Sequence, residues 1–238
     1  MKKALDEALR LLDTVPPLLL TLTTLSVVGM NLLANKSIDT GIPWLALDCG
    51  IILSWLAFLT MDVMTHCYGP RAATAGSIVA MLLNLFMAAI FFVGSKIPGA
   101  WGESFVDVGG EAINVALDHT FGGTWFILLG SSIAFTVSAV CNNFLNWAIG
   151  KRLGSKGFGA FATRSYVSTF IAQFVDNIVF ALLVSRTFFG WTLVQCVTCA
   201  ITGALLELLF EVFFSPVGYR ISRGIMERRG GELAEEAA

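Results

Sequence analysis

Residues 164–180 read RSYVSTFIAQFVDNIVF, an apolar run with Gln173 and Asp176 near its middle. A run of this composition predicts a membrane-spanning helix. An Asp at the centre of such a helix costs about 2.5–3.5 kcal/mol on insertion scales. This cost is usually tolerated where the side chain faces a cavity, a polar partner or a ligand. The stretch therefore indicates an internal polar site in a membrane protein.

The composition of the whole chain also indicates a membrane protein. Of its 238 residues, 56% are hydrophobic and 13% are charged, whereas soluble domains carry about 25% charged residues. The formal net charge of −2 argues against a basic nucleic-acid-binding protein. We therefore expect the lipid bilayer, and no nucleic acid, as a partner.

Six segments are apolar over about 20 residues, the length that spans the hydrocarbon core of a bilayer. They lie at about 15–35, 42–62, 72–94, 125–149, 165–187 and 190–214. We predict an all-α integral membrane protein, a compact bundle of six transmembrane helices. Its membrane domain covers 15–221, between a short N-terminal segment (1–14), predicted to be a retained helix, and a polar, frayed tail (222–238). In the long loop between the third and fourth spans (95–124), residues 103–117 are predicted to form a short interfacial helix.

The positions of Lys and Arg predict the orientation of the bundle. With a cytoplasmic N-terminus, twelve of the fifteen basic residues lie in inner segments, and the three in outer segments are Lys36, Lys96 and Arg186. Because cytoplasmic loops carry the excess of positive charge, we predict that both termini are cytoplasmic.

Polar residues within the spans are aligned at helical spacing. They include Gln173 and Asp176 on the fifth span, whose face also carries the apolar Phe180, Asn142 and Asn143 on the fourth, Glu207 and Glu211 on the sixth, Asp62 on the second and Asn84 on the third. No Lys or Arg at membrane depth can pair with Asp176 or Glu207, which favours a polar cavity. The Asn residues have the alternative role of bonding helices together. For Asp62 and Glu211, near the predicted cytoplasmic boundary, we expect contact with water.

Neither a metal site nor a cofactor is predicted. Cys196 and Cys199 form a C-x-x-C inside an apolar helix, where packing residues are expected rather than thiolates, and the two His residues have no metal-ligand spacing. The chain also lacks G-x-x-x-x-G-K-[ST], so it has no ATP site of its own.

Several motifs resemble those of the queuosine precursor transporter family, also called the vitamin uptake transporter family. The similar stretches, in chain order, are NLLANK (Asn31–Lys36), DVMTHCYG (Asp62–Gly69), STFIAQFVDNIVF (Ser168–Phe180) and SPVGY (Ser215–Tyr219). The resemblance extends from about Leu25 to Arg223. His66 stands where the family pattern has an acid.

The resemblance implies an importer of deazaguanine bases in the cytoplasmic (inner) membrane of a prokaryote. A guanine-like edge presents two parallel N–H donors, which one carboxylate accepts together. Asp176 or Glu207 is expected to do this. The expected contacts to the remaining ring atoms are Gln173, Asn142, Asn143 and Asn84, with an aromatic residue such as Phe180, Phe135 or Trp55 against the flat face. The site is predicted at mid-membrane, between the fourth, fifth and sixth spans.

Other functions remain open from the residues. The chain is similar in size to the six-helix substrate-binding subunits of energy-coupling-factor vitamin importers, which work with an ATPase module. The small-residue seam of Ala72, Gly76 and Ala80 suits either docking of such a partner or packing within the chain. A homo-oligomer is a further alternative. Because no motif typical of intramembrane hydrolases is present, we predict that the protein is not an enzyme. A scaffold or assembly factor is a further alternative, and such a protein would bind no small molecule.

Overall fold

The computed structural model describes residues 2–45, 47–102, 109–123, 125–153 and 157–236. In chain order, the helices are α1 (Lys2–Asp13), α2 (Pro17–Leu33), α3 (Ile51–Tyr68), α4 (Pro70–Gly94), α5 (Gly110–Gly123), α6 (Trp125–Leu153), α7 (Phe158–Phe180), α8 (Arg186–Phe188) and α9 (Leu193–Glu236). A π-helical turn, Ala181–Ser185, joins α7 to α8. Two short strands, β1 (Ser37–Ile38) and β2 (Leu47–Asp48), pair antiparallel between α2 and α3.

The prediction of an all-helical membrane bundle is confirmed. Within the described residues, five helical stretches are long and apolar enough to cross a membrane: α3, α4, α5 with α6, α7 with its π turn and α8, and α9. A bent pair, Asp6–Asp13 of α1 and Pro17–Leu33 with an angle of 110° between them, brings the number to six if the pair counts as one span. The 17 residues of α2 extend about 25 Å at 1.5 Å per residue.

The second span begins later than the sequence predicts. The described residues of this stretch, 42–45 and 47–50, which hydrophobicity assigns to a helix, instead form part of the hairpin and the turn that follows it. Gly41 adopts a positive φ of 67°, which a helix does not accommodate, and Pro43 disfavours a helical residue before it. The helix α3 therefore starts at Ile51 and ends at Tyr68.

The last helix is much longer than the predicted span of 190–214, and the tail predicted to fray from 222 is helical to Glu236. It passes through Pro216, which has no N–H for the carbonyl of Val212, four residues earlier. The hydroxyl of Ser215 donates to that carbonyl instead, at 3.1 Å. Because the freed carbonyl keeps a hydrogen bond, the helix continues past the proline.

The predicted interfacial helix lies in part outside the described residues, since 103–108 are not described. The described part, α5, runs from Gly110 to Gly123, later than 103–117. The indole N–H of Trp101, which precedes α5 in the chain, donates to the carboxylate of Asp118 on α5 at 2.8 Å.

The small-residue seam on α4 packs inside the chain. Ala72 and Ala80 are fully buried, and a Cβ atom added at Gly76 would lie 3.2 Å from Leu20 and 3.3 Å from the sulfur of Met64. The seam therefore lets α4 approach α2 and α3 closely, as small residues do between membrane helices. It leaves no free face there for docking an outside partner.

Replacing Gly76 with Leu should overpack the contact of α4 with α2 and α3. We expect a loss of about 1–3 kcal/mol in unfolding free energy, typical of inserted side chains in packed interiors, measured by thermal unfolding of the purified protein in detergent. Gly94→Leu on the same helix is the matched control, because no atom lies within 4 Å of a Cβ atom there. Equal stability of the two variants would contradict the packing described.

Candidate functional site

A pocket lies where α2 ends and where α3, α6 and α9 begin, an end of the bundle that we call the hairpin side. Its cavity volume is about 40 Å³, well below the roughly 300–1,000 Å³ of small-molecule sites, so the pocket is narrow and nearly closed. Its polar walls are formed by Asn31, Asp48, Ser54, Ser131, Asp176, Asn177 and Glu207, together with apolar residues that include Phe180.

Asp176 presents a carboxylate to this pocket with one oxygen free. Its Oδ1 accepts a hydrogen bond from Ser138 on α6 at 2.8 Å, and within the described residues its Oδ2 has no partner. The side chain is partly exposed to the pocket. Because each carboxylate oxygen can accept two hydrogen bonds, most of the accepting capacity of Asp176 is unused.

Glu207 faces the same pocket from α9 but is more fully engaged. Its Oε1 accepts from the hydroxyl of Ser54 on α3, and its Oε2 accepts from the amide of Asn177 on α7 at 3.3 Å. Only 2% of the residue is exposed. The Asn177 amide also lies 2.7 Å from the position of a Cβ atom at Gly203, so a glycine there lets α7 and α9 approach.

Asp48, in the hairpin, supplies a third carboxylate. Its Oδ1 accepts from the backbone N–H of Gly50 at 2.8 Å. Burial raises the pKa of Asp48 to about 6, against the smaller opposing effect of that hydrogen bond. The three carboxylates interact electrostatically, and the ion pairs in the described part of the chain, Arg71 with Glu7 and Arg223 with Glu227, involve none of them. The pocket is thus an acidic site without a cation paired to it.

The hairpin is fixed against the start of α9. The carbonyl of Trp44 accepts from the Thr198 hydroxyl at 2.7 Å, and that of Pro43 accepts from the Gln195 amide at 3.1 Å. Leu47 packs with Trp191 in a small apolar cluster. These contacts hold Asp48 in the pocket wall.

On the opposite wall, Asn31 of α2 accepts from the Ser131 hydroxyl of α6 through its Oδ1. Its Nδ2 atom is buried and has no hydrogen-bond partner among the described residues. An unpaired buried amide N–H costs about 1–3 kcal/mol. Such a group is what a ligand acceptor would satisfy.

The residues predicted for the site divide into two groups. Asp176, Glu207 and Phe180 line the pocket. Gln173, Asn142, Asn143 and Asn84 do not: Asn84 donates to Ser132 at 3.4 Å, Asn143 contacts Thr65 and Thr74, and Asn142 donates to Asp62. The amide of Gln173 is fully buried without a partner. The pocket also draws on the first and second spans, in addition to the fourth, fifth and sixth.

The expectation that Asp62 and Glu211 contact water is wrong. Both residues are 0% exposed, and both contact the hydroxyl of Ser165, as shown by the bond to Asp62 and by the 2.6 Å bond to Glu211. Both carboxylates lie where α3, α7 and α9 cross, and these helices cover them. Their positions near the ends of the predicted spans gave no indication of this cover. These residues form a second polar cluster, closer to the ends of α3 and α6.

Sequence reasoning missed Asn31, Asp48, Ser54, Ser131 and Asn177 as pocket residues. The sequence did point to two of these residues. Asn177 directly follows Asp176, and Asn31 lies among the polar residues of the first span. Ser54 had no signal of its own, because a single Ser in a membrane helix is common.

The structure gives no indication of a metal site. No group of three or more His, Cys, Asp or Glu residues in the described ranges is placed to hold a metal ion. Cys196 and Cys199 are free and buried, in the apolar cluster beside Leu47 and Trp191.

The fold and the pocket define a polytopic helical membrane protein with an acidic internal cavity, an arrangement that suits a transporter. Residues 48–221 match the model of a family described as putative vitamin uptake transporter. Because this match covers 174 of the 238 residues, the chain belongs to the putative vitamin uptake transporter family. No curated protein and no solved structure matches the chain. The matched region includes all three pocket carboxylates and begins after Asn31.

Replacing Asp48 with Asn should change how stability depends on pH. Because the folded pKa of about 6 lies above the ordinary value of 3.8, the folded chain holds a proton that the unfolded chain releases, and stability falls as pH rises between these values. The effect is at most about 3 kcal/mol and smaller where water reaches the group. In thermal unfolding from pH 4 to pH 7, Asp48→Asn should lose less stability than the wild type.

Asp39→Asn, an exposed acid in the same hairpin, is the control for this measurement and should follow the wild type. If Asp48→Asn also followed the wild type at every pH, the burial of Asp48 would be contradicted.

Proposed function

We propose that this protein imports a small flat heterocycle across the cytoplasmic membrane, and that its substrate is a deazaguanine base or a queuine-like nucleobase. The single observation that carries the proposal is the free carboxylate of Asp176 in a cavity with no cation paired to it. Family membership supports a transporter; the substrate class is inferred from the chemistry of the cavity and from the resemblance of the motifs.

The donor pattern of such a base complements the pocket. A guanine-like edge offers an N–H and an exocyclic NH₂ side by side, and a carboxylate accepts both in a bidentate pair. Asp176 is the better acceptor, because the two oxygens of Glu207 already accept from Ser54 and Asn177. A ligand with several donors also stabilises three carboxylates that otherwise repel one another.

The remaining polar groups suit the acceptors of the ring. The unpaired Nδ2 of Asn31 offers a donor for a carbonyl oxygen or a ring nitrogen on the edge away from Asp176. Phe180, which is 7% exposed, is the aromatic residue among those proposed for stacking that lines the pocket. Trp55 stacks on Phe214 with ring centroids 4.2 Å apart, and Phe135 packs edge-on against Phe58.

Entry of the substrate requires movement of the lining side chains. The pocket is narrow, so a planar base fits between α3, α7 and α9 only when these helices or their side chains separate. The hairpin, held to α9 by the Thr198 and Gln195 contacts, forms the wall on the side predicted to face outward. We infer that this wall opens to admit the substrate.

Replacing Asp176 with Asn should remove the bidentate acceptor while keeping the shape of the side chain. A lost charge-assisted pair of hydrogen bonds corresponds to about 1.5–3 kcal/mol, or a loss of affinity of roughly ten- to hundredfold. Uptake of radiolabelled deazaguanine bases and queuine by cells expressing the variant should fall to background. The purified variant should lose the thermal shift that these compounds produce in the wild type.

Asp39→Asn is the control for this experiment, because this exposed carboxylate lies outside the pocket. Wild-type uptake by Asp176→Asn would overturn the assignment of the carboxylate. A thermal shift by another vitamin, but by no deazapurine, would overturn the substrate class and leave the pocket as the site. Uptake that requires co-expression of an ATPase and a membrane coupling protein would identify an energy-coupling-factor subunit.

A further inference from the structure

The second polar cluster contains two acids that share one hydroxyl group. Ser165 on α7 lies between Asp62 on α3 and Glu211 on α9, within hydrogen-bond distance of Oδ2 of the first and 2.6 Å from Oε1 of the second. All three residues are 0% exposed. The cluster is separate from the substrate pocket, and the substrate contacts proposed above do not involve it.

Counting hydrogen atoms shows that one of these acids must be protonated. A serine hydroxyl has one hydrogen to donate, so it can satisfy one carboxylate. Two ionised carboxylates against the same hydroxyl would leave one oxygen facing another without a proton between them. The second carboxyl group must therefore donate to the oxygen of Ser165.

The surroundings identify Asp62 as the ionised member. Its Oδ1 accepts from the Asn142 amide at 2.6 Å, and its Oδ2 accepts from the Thr169 hydroxyl at 3.2 Å as well as from Ser165. Arg164 is buried on the same helix as Ser165 and interacts electrostatically with Asp62. Donors and a cation on one acid favour its charged form.

Glu211 lacks this support. Its contact in the cluster is the Ser165 hydroxyl, and its Oε2 is buried with no hydrogen-bond partner among the described residues. A buried ionised oxygen without a donor costs more than a neutral carbonyl oxygen does. With one proton on Glu211, the cluster of one guanidinium and two acids is also electrically neutral.

The ionisable groups on the other faces do not supply a competing donor. They are His66 on α3, which stands edge-on to Phe161 with its nitrogens unpaired; Tyr166 on α7, whose hydroxyl pairs with Ser215; and Glu207 and Asp176 on the pocket side. The helix α6 contributes the uncharged Asn142, whose Oδ1 is also buried without a partner.

We propose that Glu211, Ser165 and Asp62 form a proton-binding site that couples transport to the proton gradient. Glu211 carries the proton and donates it to the oxygen of Ser165, while Ser165 donates its own hydrogen to Asp62. Moving the proton along this chain breaks the O–H bond of Glu211 and of Ser165 and forms one on Ser165 and one on Asp62. The atoms balance, and the charge moves from Asp62 to Glu211.

The position of this site relative to the pocket suits coupling. Glu211 lies one helical turn, about 6 Å, from Glu207 on α9. On α7, Ser165, Thr169, Gln173 and Asp176 share one face, and Gln173 between the two sites has a buried amide with no partner. A shift of α7 against α9 would change both the substrate pocket and the acid pair. The proposal has two halves: the protonation half states that Glu211 carries the proton, and the coupling half states that this proton drives transport. Only the coupling half rests on the proposed transport function.

The protonation half is tested by infrared spectroscopy of the purified protein in lipid nanodiscs at pH 7. The spectrum of the wild type minus that of Glu211→Gln should contain one carbonyl-stretch band of a protonated carboxyl group, shifted in D₂O. Glutamine keeps the shape of the side chain and can donate to Ser165, so the variant should fold. The matched control is Glu227→Gln on the same helix, an exposed acid, whose difference spectrum should contain no such band.

Absence of the band from the Glu211→Gln difference spectrum overturns the proposal, whether or not the protein transports any compound tested. If the band is lost in Asp62→Asn and kept in Glu211→Gln, the proton lies on Asp62 rather than on Glu211, which also overturns the proposal.

The coupling half is tested in proteoliposomes with an imposed pH gradient. One proton per substrate corresponds to an accumulation ratio of up to about tenfold for each pH unit, since one unit equals 1.36 kcal/mol. Glu211→Gln should bind the heterocycle as the wild type does and bring it only to equal concentrations. Accumulation by Glu211→Gln that matches the wild type, or wild-type accumulation that follows a sodium gradient instead, overturns the coupling. Wild-type liposomes that take up no heterocycle contradict the proposed function, and the infrared result then decides the proton site alone.

Discussion

The structure depends on the cost of placing carboxyl groups in a medium where water cannot solvate them. Four acids, Asp62, Asp176, Glu207 and Glu211, lie on three helices within the bundle, and the described residues supply one buried cation near them, Arg164. Each acid is consequently hydrogen-bonded to a hydroxyl or amide group of a neighbouring helix. These bonds help to fix the arrangement of α3, α6, α7 and α9, because a carboxyl group without hydrogen-bond partners would not remain buried.

The pocket and the second polar cluster stabilise their buried acids in different ways. In the pocket, Asp176 keeps an unpaired oxygen directed at a cavity, which leaves it able to accept from a ligand. In the second polar cluster, Asp62 is surrounded by donors and Glu211 shares a single hydroxyl group with it. This arrangement leaves room for a proton and none for a larger molecule. The proposed substrate site and the proposed proton site thus lie on the same two helices, α7 and α9, so movement of one helix would affect both.

Much of the fold could be predicted from hydrophobicity, because a bilayer requires about 20 apolar residues for each span and internal satisfaction of backbone groups. The third and fourth spans differ from their helices by four residues or fewer at each end. The largest errors, at 42–50 and beyond 214, occurred where apolar residues form a hairpin and where Ser215 compensates for a proline. Hydrophobicity does not distinguish these cases, since both depend on hydrogen bonds between particular atoms.

The sequence by itself determined the membrane class and the number of apolar segments, and it singled out Asp176, because a polar residue in an apolar run is conspicuous without knowledge of its neighbours. Only the tertiary structure decided which polar residues meet. It placed Asn84 and Asn143 in contacts between helices, brought Asn31 and Ser54 to the pocket, and buried Asp62 and Glu211 against one serine. Helical periodicity gives the face of a residue on its own helix, whereas the partner opposite depends on how the helices are rotated and displaced against one another.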